Sequence, residues 1–128
     1  MKIIALDIGG TAVKSGLVDN GVLKEHRETP TPAAEGGQAV VALAKKLIAA
    51  YLPEGADGIG ISTAGVVDSK SGSILFAEDC IRGYTGIQVK ALLEDAFSLP
   101  TAVENDLNAA AVGEAPSARA RAAKAFYA

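Results

Sequence analysis

The chain has 128 residues, 49% of them apolar, with no tryptophan, one cysteine and a formal net charge of −3. That is enough chain for one domain with a real core, and its apolar content excludes a disordered or collagen-like chain. A single cysteine, Cys80, rules out an internal disulfide and fits a reducing compartment, and the lone His26 cannot build a metal site by itself. No clustered basic face of the kind nucleic acid requires is present. The nearest approach, Arg119, Arg121 and Lys124 spaced among alanines, reads as a solvated connector. The opening Met-Lys-Ile-Ile-Ala-Leu-Asp enters a strand directly and carries an acid at Asp7. It lacks the long apolar stretch of a signal peptide, and no segment has the length of a membrane span. A cytoplasmic protein without nucleic-acid or membrane partners is expected.

Residues 3–8 form an apolar run closed by Gly9-Gly10, which reads as a buried strand entering a tight turn. Residues 12–19 return as a second strand. Asn20-Gly21 is a hairpin signal, because both residues accept positive φ, and a third strand follows from Val22 to about Glu28. The opening is therefore an antiparallel meander. Thr29-Pro30-Thr31-Pro32 reads as a loop, since each proline disfavours helix in the residue before it.

From Gly37 to Leu52 the positions Val40, Leu43, Ala44, Leu47, Ile48 and Tyr51 have helical spacing, and Pro53 stands just past the end. Residues 58–63 form a glycine-rich buried strand. Residues 66–68 and 73–76 pair as a short hairpin around Lys70-Ser71-Gly72. A second helix is expected over 86–97, with Ile87, Val89, Leu92, Leu93 and Phe97 inward and Pro100 as its breaker. Thr101 to Val103 is another strand, and a third helix starts near Asn105-Asp106 with Leu107, Ala110, Ala111 and Val112 inward. The order is βββ-α-β(ββ)-α-β-α, an α/β domain with a mixed sheet. No internal repeat or low-complexity tract interrupts it. The last residues, Ala125-Phe126-Tyr127-Ala128, look like the start of a strand, so the chain reads as part of a longer protein.

Two segments carry chemistry. In Asp7-Ile8-Gly9-Gly10-Thr11, with Lys14 and Gly16 beyond, the glycines let backbone N–H groups approach phosphate oxygens and form an anion nest. Thr11 adds a hydroxyl, and Asp7 can hold Mg2+ directly or through water. A plain glycine hairpin whose Asp bonds the turn backbone is the alternative. No helix follows the glycines, so this is neither a Walker A loop nor a dinucleotide fingerprint. In Val103-Glu104-Asn105-Asp106-Leu107-Asn108-Ala109-Ala110-Ala111 a strand passes into a helix, which projects the polar cluster into a cleft. Asn105 offers a donor and an acceptor to sugar hydroxyls, and Asp106 can accept the proton of an attacking hydroxyl. An ordinary helix N-cap is the competing reading, and one Asp can serve as both.

The string Asp-Ile-Gly-Gly-Thr-Ala-Val-Lys-Ser-Gly-Leu-Val-Asp at residues 7–19 resembles the phosphate-binding signature of the ROK family of repressors and kinases. The resemblance implies an actin-like ATPase (ribonuclease H-like) N-terminal lobe over residues 1–118. Residues 119–128 would then be a connector and the first residues of a C-terminal lobe. Kinases of that family carry Glu-Asn-Asp-x-Asn-Ala at the second segment, so the resemblance implies Asp106 as catalytic base. It places Asn105 and Glu104 at the sugar and gives Asn108 a helix-orienting role. Gly60-Ile-Ser-Thr-Ala-Gly65-Val-Val-Asp68 resembles the family's Gly-x-x-x-Pro-Gly-x-Val-Asp loop beside the sugar, which places Gly65 in the site. Ala64 replaces the usual proline and is expected to loosen the turn slightly.

A larger departure comes at residues 78–84, where glucokinase-like members have Pro-Asn-Leu-Pro-Gly-Trp. Cys80 then takes the Asn position and Tyr84 the Trp position. A thiol is a poor hydrogen-bond partner, which leaves the sugar open between glucose and derivatives such as an N-acyl hexosamine or a β-glucoside. A small buried hydrophobe is the other reading of Cys80. Tyr84 either stacks on a sugar face or belongs to the core.

The implied activity is ATP-dependent phosphorylation of a hexose or hexose derivative, with ATP and Mg2+ as cofactors and a homodimer as the full-length assembly. A second phosphate loop, the adenosine pocket and any structural zinc would lie beyond these residues, so this stretch alone is expected to be inactive. The alternative is a sugar-sensing regulator of the same family. Its DNA-binding region would precede the phosphate loop, which here begins at the seventh residue.

Overall fold

A computed structural model of the chain describes residues 1–77 and 81–105. Cys80, Asp106, Asn108, the expected third helix and the connector from residue 119 lie outside the described residues. The elements are β1 (Lys2–Ile8), β2 (Ala12–Asp19), β3 (Val22–Pro30), α1 (Gly37–Tyr51), β4 (Gly58–Thr63), β5 (Val66–Asp68), β6 (Ser73–Phe76), α2 (Val89–Phe97) and β7 (Thr101–Asn105). One mixed sheet runs β3-β2-β1-β4-β7, and β5 and β6 pair separately. Within it β1, β2 and β3 are antiparallel neighbours, whereas β4 runs parallel to both β1 and β7. The expected meander is present, and the element order is as expected as far as β7. No helix among the described residues is long and apolar enough to cross a membrane.

The core follows from the pleat. Ile4, Leu6 and Ile8 of β1, Ile59 and Ile61 of β4 and Val103 of β7 share one sheet face. They pack against Val40, Ala44, Leu47 and Ile48 of α1 and Leu93 of α2. Burying each such side chain contributes about 1.5–3 kcal/mol. The opposite face carries a smaller cluster of Ile3, Ala5 and Val18 with Leu23 against it. Strand β4 is buried at every position, as a central parallel strand must be. It meets that demand with isoleucines on the helix side and Gly58, Gly60 and Ser62 on the other.

Four boundaries differ from the sequence reading, each for a local reason. Strand β3 continues through Thr29 to Pro30, which pairs with Ala12. An edge strand tolerates a proline because its outward N–H has no ladder partner to lose. Helix α1 ends at Tyr51 and tightens into a 3₁₀ turn, Leu52–Glu54, so Pro53 sits inside that turn. Helix α2 begins at Val89 instead of 86, since Gly86 adopts φ +86°, and Ile87 is buried from a loop. Leu92 is 36% exposed where an inward position was expected. Strand β7 extends through Glu104 and Asn105, which puts Asn105 at the strand's last position and not in a helix. Asn20 and Gly21 do form the positive-φ hairpin, at φ 51° and 84°.

Tyr51 locks α1 to the meander. The register between β2 and β3 slips between Ser15 and Leu17, and Glu25, at φ 52°, is the extra residue of this β-bulge. The fully buried Tyr51 hydroxyl donates to the Glu25 carbonyl at 2.7 Å and accepts from Ser15 Oγ at 3.1 Å. The Arg27 guanidinium lies 5.0 Å from the ring centroid of Tyr51. Tyr51→Phe keeps the ring and strands both partners, so it should cost about 1–3 kcal/mol of stability in urea unfolding. Wild-type stability in that variant would show the bulge is held by other contacts.

Candidate active site

Strands β1, β4 and β7 run parallel, so their C-terminal ends reach one edge of the sheet together, where ligands of open α/β sheets bind. The register aligns Asp7 with Ser62 and Ser62 with Glu104, and one residue further on aligns Ile8 with Thr63 and Thr63 with Asn105. Both chemical segments of the sequence therefore meet here, although about a hundred residues separate them. In the first row Ser62 Oγ donates to Asp7 Oδ1 at 3.1 Å. Lys14 lies across β1 from Asp7 on the same face. Glu104 is only 6% exposed.

The turn after β1 is closed by its own backbone. The Gly9 N–H donates to the Ala12 carbonyl at 2.9 Å, so it belongs to the turn and not to an anion cradle. Gly10 and Thr11 are exposed at the tip, and their N–H groups donate to no described residue. Thr31 braces this tip from the end of β3, its N–H donating to the Thr11 carbonyl at 2.9 Å and its hydroxyl to the Gly9 carbonyl at 2.8 Å. Reading the Thr-Pro-Thr-Pro stretch simply as a loop missed this role. Two exposed N–H groups beside a carboxylate are donors and acceptors of the kind a Mg2+-bound polyphosphate needs.

Gly65 forms the second loop of the edge. Its φ of +100° disfavours any side chain, and a Cβ there would stand 2.8 Å from Ala77 Cβ and 2.9 Å from the Phe76 carbonyl oxygen. Asn105 Nδ2 donates to the Gly65 carbonyl at 2.6 Å, so these two expected site residues touch. The Ala64 N–H donates to the Ile8 carbonyl at 2.8 Å, tying this loop to the end of β1. Alanine at 64 therefore allows a tie that proline, which has no N–H, could not make.

Tyr84 belongs to the core. It is 0% exposed, and its hydroxyl lies 2.9 Å from Thr63 Oγ1, so the ring has no face to stack on a sugar. Burial pushes its phenol up to about 12, against the opposing pull of the Thr63 hydrogen bond. The hydroxyl therefore stays protonated throughout the physiological range. Asp106, the expected base, follows Asn105 directly in sequence and lies outside the described residues.

Comparison with known proteins bears on the family and the fold. The ROK family model matches residues 3–128. A β-glucoside kinase from Listeria innocua is 38% identical over 117 residues, covering 89% of this chain and 38% of that protein. Among solved structures, a ROK hexokinase from Thermus thermophilus superposes with a TM-score of 0.76 at 34% identity over 89% of this chain and 38% of its own. A ROK family glucokinase from Streptomyces griseus, in complex with glucose and AMPPNP, gives 0.75 at 34% identity, over 89% of this chain and 36% of its own. The actin-like ATPase fold expected from the sequence is the fold of these neighbours. The chain spans little more than a third of the length of each.

Gly65→Ala should destabilise the protein by more than about 1 kcal/mol in thermal unfolding. Gly55→Ala is its control, since Gly55 also has positive φ, at +80°, but nothing lies within 4 Å of its would-be Cβ. Equal losses in the two variants would mean that the close approach of Ala77 and Phe76 has no energetic weight.

Proposed function

Since this chain belongs to the ROK family, we propose that the complete protein is a sugar kinase. It transfers the γ-phosphoryl group of ATP to a hydroxyl of a hexose or hexose derivative. The observation that carries this reading is the 2.6 Å contact between Asn105 and the Gly65 carbonyl. It stands at the same sheet edge as the exposed Gly10-Thr11 tip, so a sugar-binding and a phosphate-binding element are within reach of one ligand pair. When bound, ATP supplies the phosphoryl group and Mg2+ offsets its charge.

The chain's own residues would do the rest. Gly10 and Thr11 offer N–H donors to phosphate oxygens, and Thr11 adds its hydroxyl. Lys14 adds a positive charge to the same region, and Asp7 holds Mg2+ directly or through water. Asn105, Glu104 and Gly65 orient the sugar. Asp106 takes the proton from the attacking hydroxyl as the new O–P bond forms, which raises that oxygen's nucleophilicity without a covalent intermediate. Catalysis here is mostly positioning, which suits a site assembled from strand ends. By family resemblance the complete protein works as a cytoplasmic homodimer.

Asp106→Asn in the complete protein should lower kcat about 10²- to 10⁴-fold while sugar affinity in calorimetry is kept. Near wild-type turnover would sink the assignment of Asp106. Residues 1–128 alone should release no ADP in response to sugar, because the relatives they match are more than twice as long. Sugar-dependent ADP release by this stretch would mean that it encloses nucleotide by itself.

A further inference from the structure

We propose that Tyr84 is a positioning residue for Asn105, acting through the Thr63 hydroxyl and the Ala64-Gly65 turn; the proposal rests on the kinase reading above. Thr63 is the last residue of β4 and stands in register between Ile8 and Asn105. Its hydroxyl touches two groups, the Tyr84 hydroxyl at 2.9 Å and the Ala64 carbonyl at 3.2 Å. Thr63 has one hydrogen to give, and the Ala64 carbonyl can only accept. Both contacts are satisfied when Thr63 donates to Ala64 and Tyr84 donates to Thr63. That arrangement fixes the Thr63 rotamer and holds the Ala64 carbonyl on one side of the turn, while the Ile8 carbonyl holds the Ala64 N–H at 2.8 Å.

With both ends of Ala64 held, Gly65 enters its positive φ in a fixed frame, and its own carbonyl meets Asn105 Nδ2. A carbonyl oxygen can only accept, so the Asn105 amide cannot flip without setting Oδ1 against the Gly65 oxygen. One N–H of the Asn105 amide is thereby given to the protein, and the position of the Gly65 carbonyl helps to orient the side chain.

Tyr84 is a firm base for such a chain. It lies in the segment between β6 and α2, where the Ile81 N–H donates to the Ala77 carbonyl at 2.8 Å and the Ala77 N–H donates to Thr85 Oγ1 at 3.1 Å. The start of α1 presses on the same segment. The Gly37 N–H donates to the Arg82 carbonyl at 2.8 Å, and a Cβ at Gly37 would stand 2.7 Å from Tyr84 Cα. A hydroxyl set this rigidly, buried and aimed at the last residue of β4, does more than fill space. Packing alone would be served as well by phenylalanine.

The test uses the complete protein, first screened against a panel of hexoses, N-acyl hexosamines and β-glucosides for sugar-dependent ADP release. Tyr84→Phe keeps the ring and removes the donor. It should raise the KM for the phosphorylated sugar roughly threefold to tenfold, the weight of one buried hydrogen bond, and leave the KM for ATP at its wild-type value. Thr63→Val should do the same, and Thr63→Ser, which restores the hydroxyl, should return the sugar KM toward wild type. The threonine pair decides the matter if Tyr84→Phe does not fold. Wild-type turnover with an unchanged sugar KM in folded Tyr84→Phe or Thr63→Val overturns the positioning role and leaves the kinase reading standing. A wild-type protein that phosphorylates no sugar in the panel overturns the kinase reading and the positioning role with it.

Discussion

The parallel register of β1, β4 and β7 is the constraint on which this structure depends. It brings Asp7, Ser62 and Glu104 into one row and Ile8, Thr63 and Asn105 into the next. A slip of one residue in either pairing would turn every side chain of the slipped strand to the other face. Burial prevents that slip. Ile59 and Ile61 are buried against the helices while Gly58 and Gly60 face the other, equally buried side, and exchanging them would force isoleucine into positions that glycine fills and leave the helix side unfilled. A hydrophobic pattern in the middle of the sheet thus determines which polar atoms meet at its edge.

Backbone hydrogen bonds tie the loops of this edge to the strand ends. Gly9 closes on Ala12, Ala64 on Ile8, and Thr31 on both Gly9 and Thr11. Among the described residues the one ion pair, Lys24 with Asp19 at 3.4 Å, is exposed and remote from this edge, and such pairs contribute little. Each loop is tied to the strand end beside it, so the Gly9-Gly10 turn and the Gly65 turn share a frame. Such a construction would suit the proposed phosphoryl transfer, in which in-line geometry counts for more than any one side chain's reactivity.

Two of the polar groups that set this frame are hidden from solvent. Tyr51 satisfies a bulge carbonyl in β3, and Tyr84 satisfies Thr63 at the end of β4. Both are tyrosines whose rings fill the core while a single hydroxyl reaches a strand. Tyr51 joins α1 to a backbone carbonyl at the bulge, whereas Tyr84 bonds a side chain, the Thr63 hydroxyl.

The amino-acid sequence by itself determined most of the elements through β7 and the family to which the chain belongs. Period-two and period-3.6 apolar patterns, Asn20-Gly21 and Pro53 report local geometry, which depends on neighbours in the chain. The motifs at residues 7–19 and 104–108 report residue types that phosphate and sugar chemistry require. What only the tertiary structure decided is which atoms those residues have already spent. Gly9 looked like a phosphate donor but gives its N–H to Ala12, Tyr84 looked open to sugar stacking but is buried on Thr63, and Ala64 looked like a loosened proline but supplies a tie to Ile8. Asn105 reads as the start of a helix, but it ends β7, where it pairs with Thr63 of β4. Each of these outcomes depends on a partner distant in sequence, and a residue's own chemistry does not specify which partner packing will bring to it.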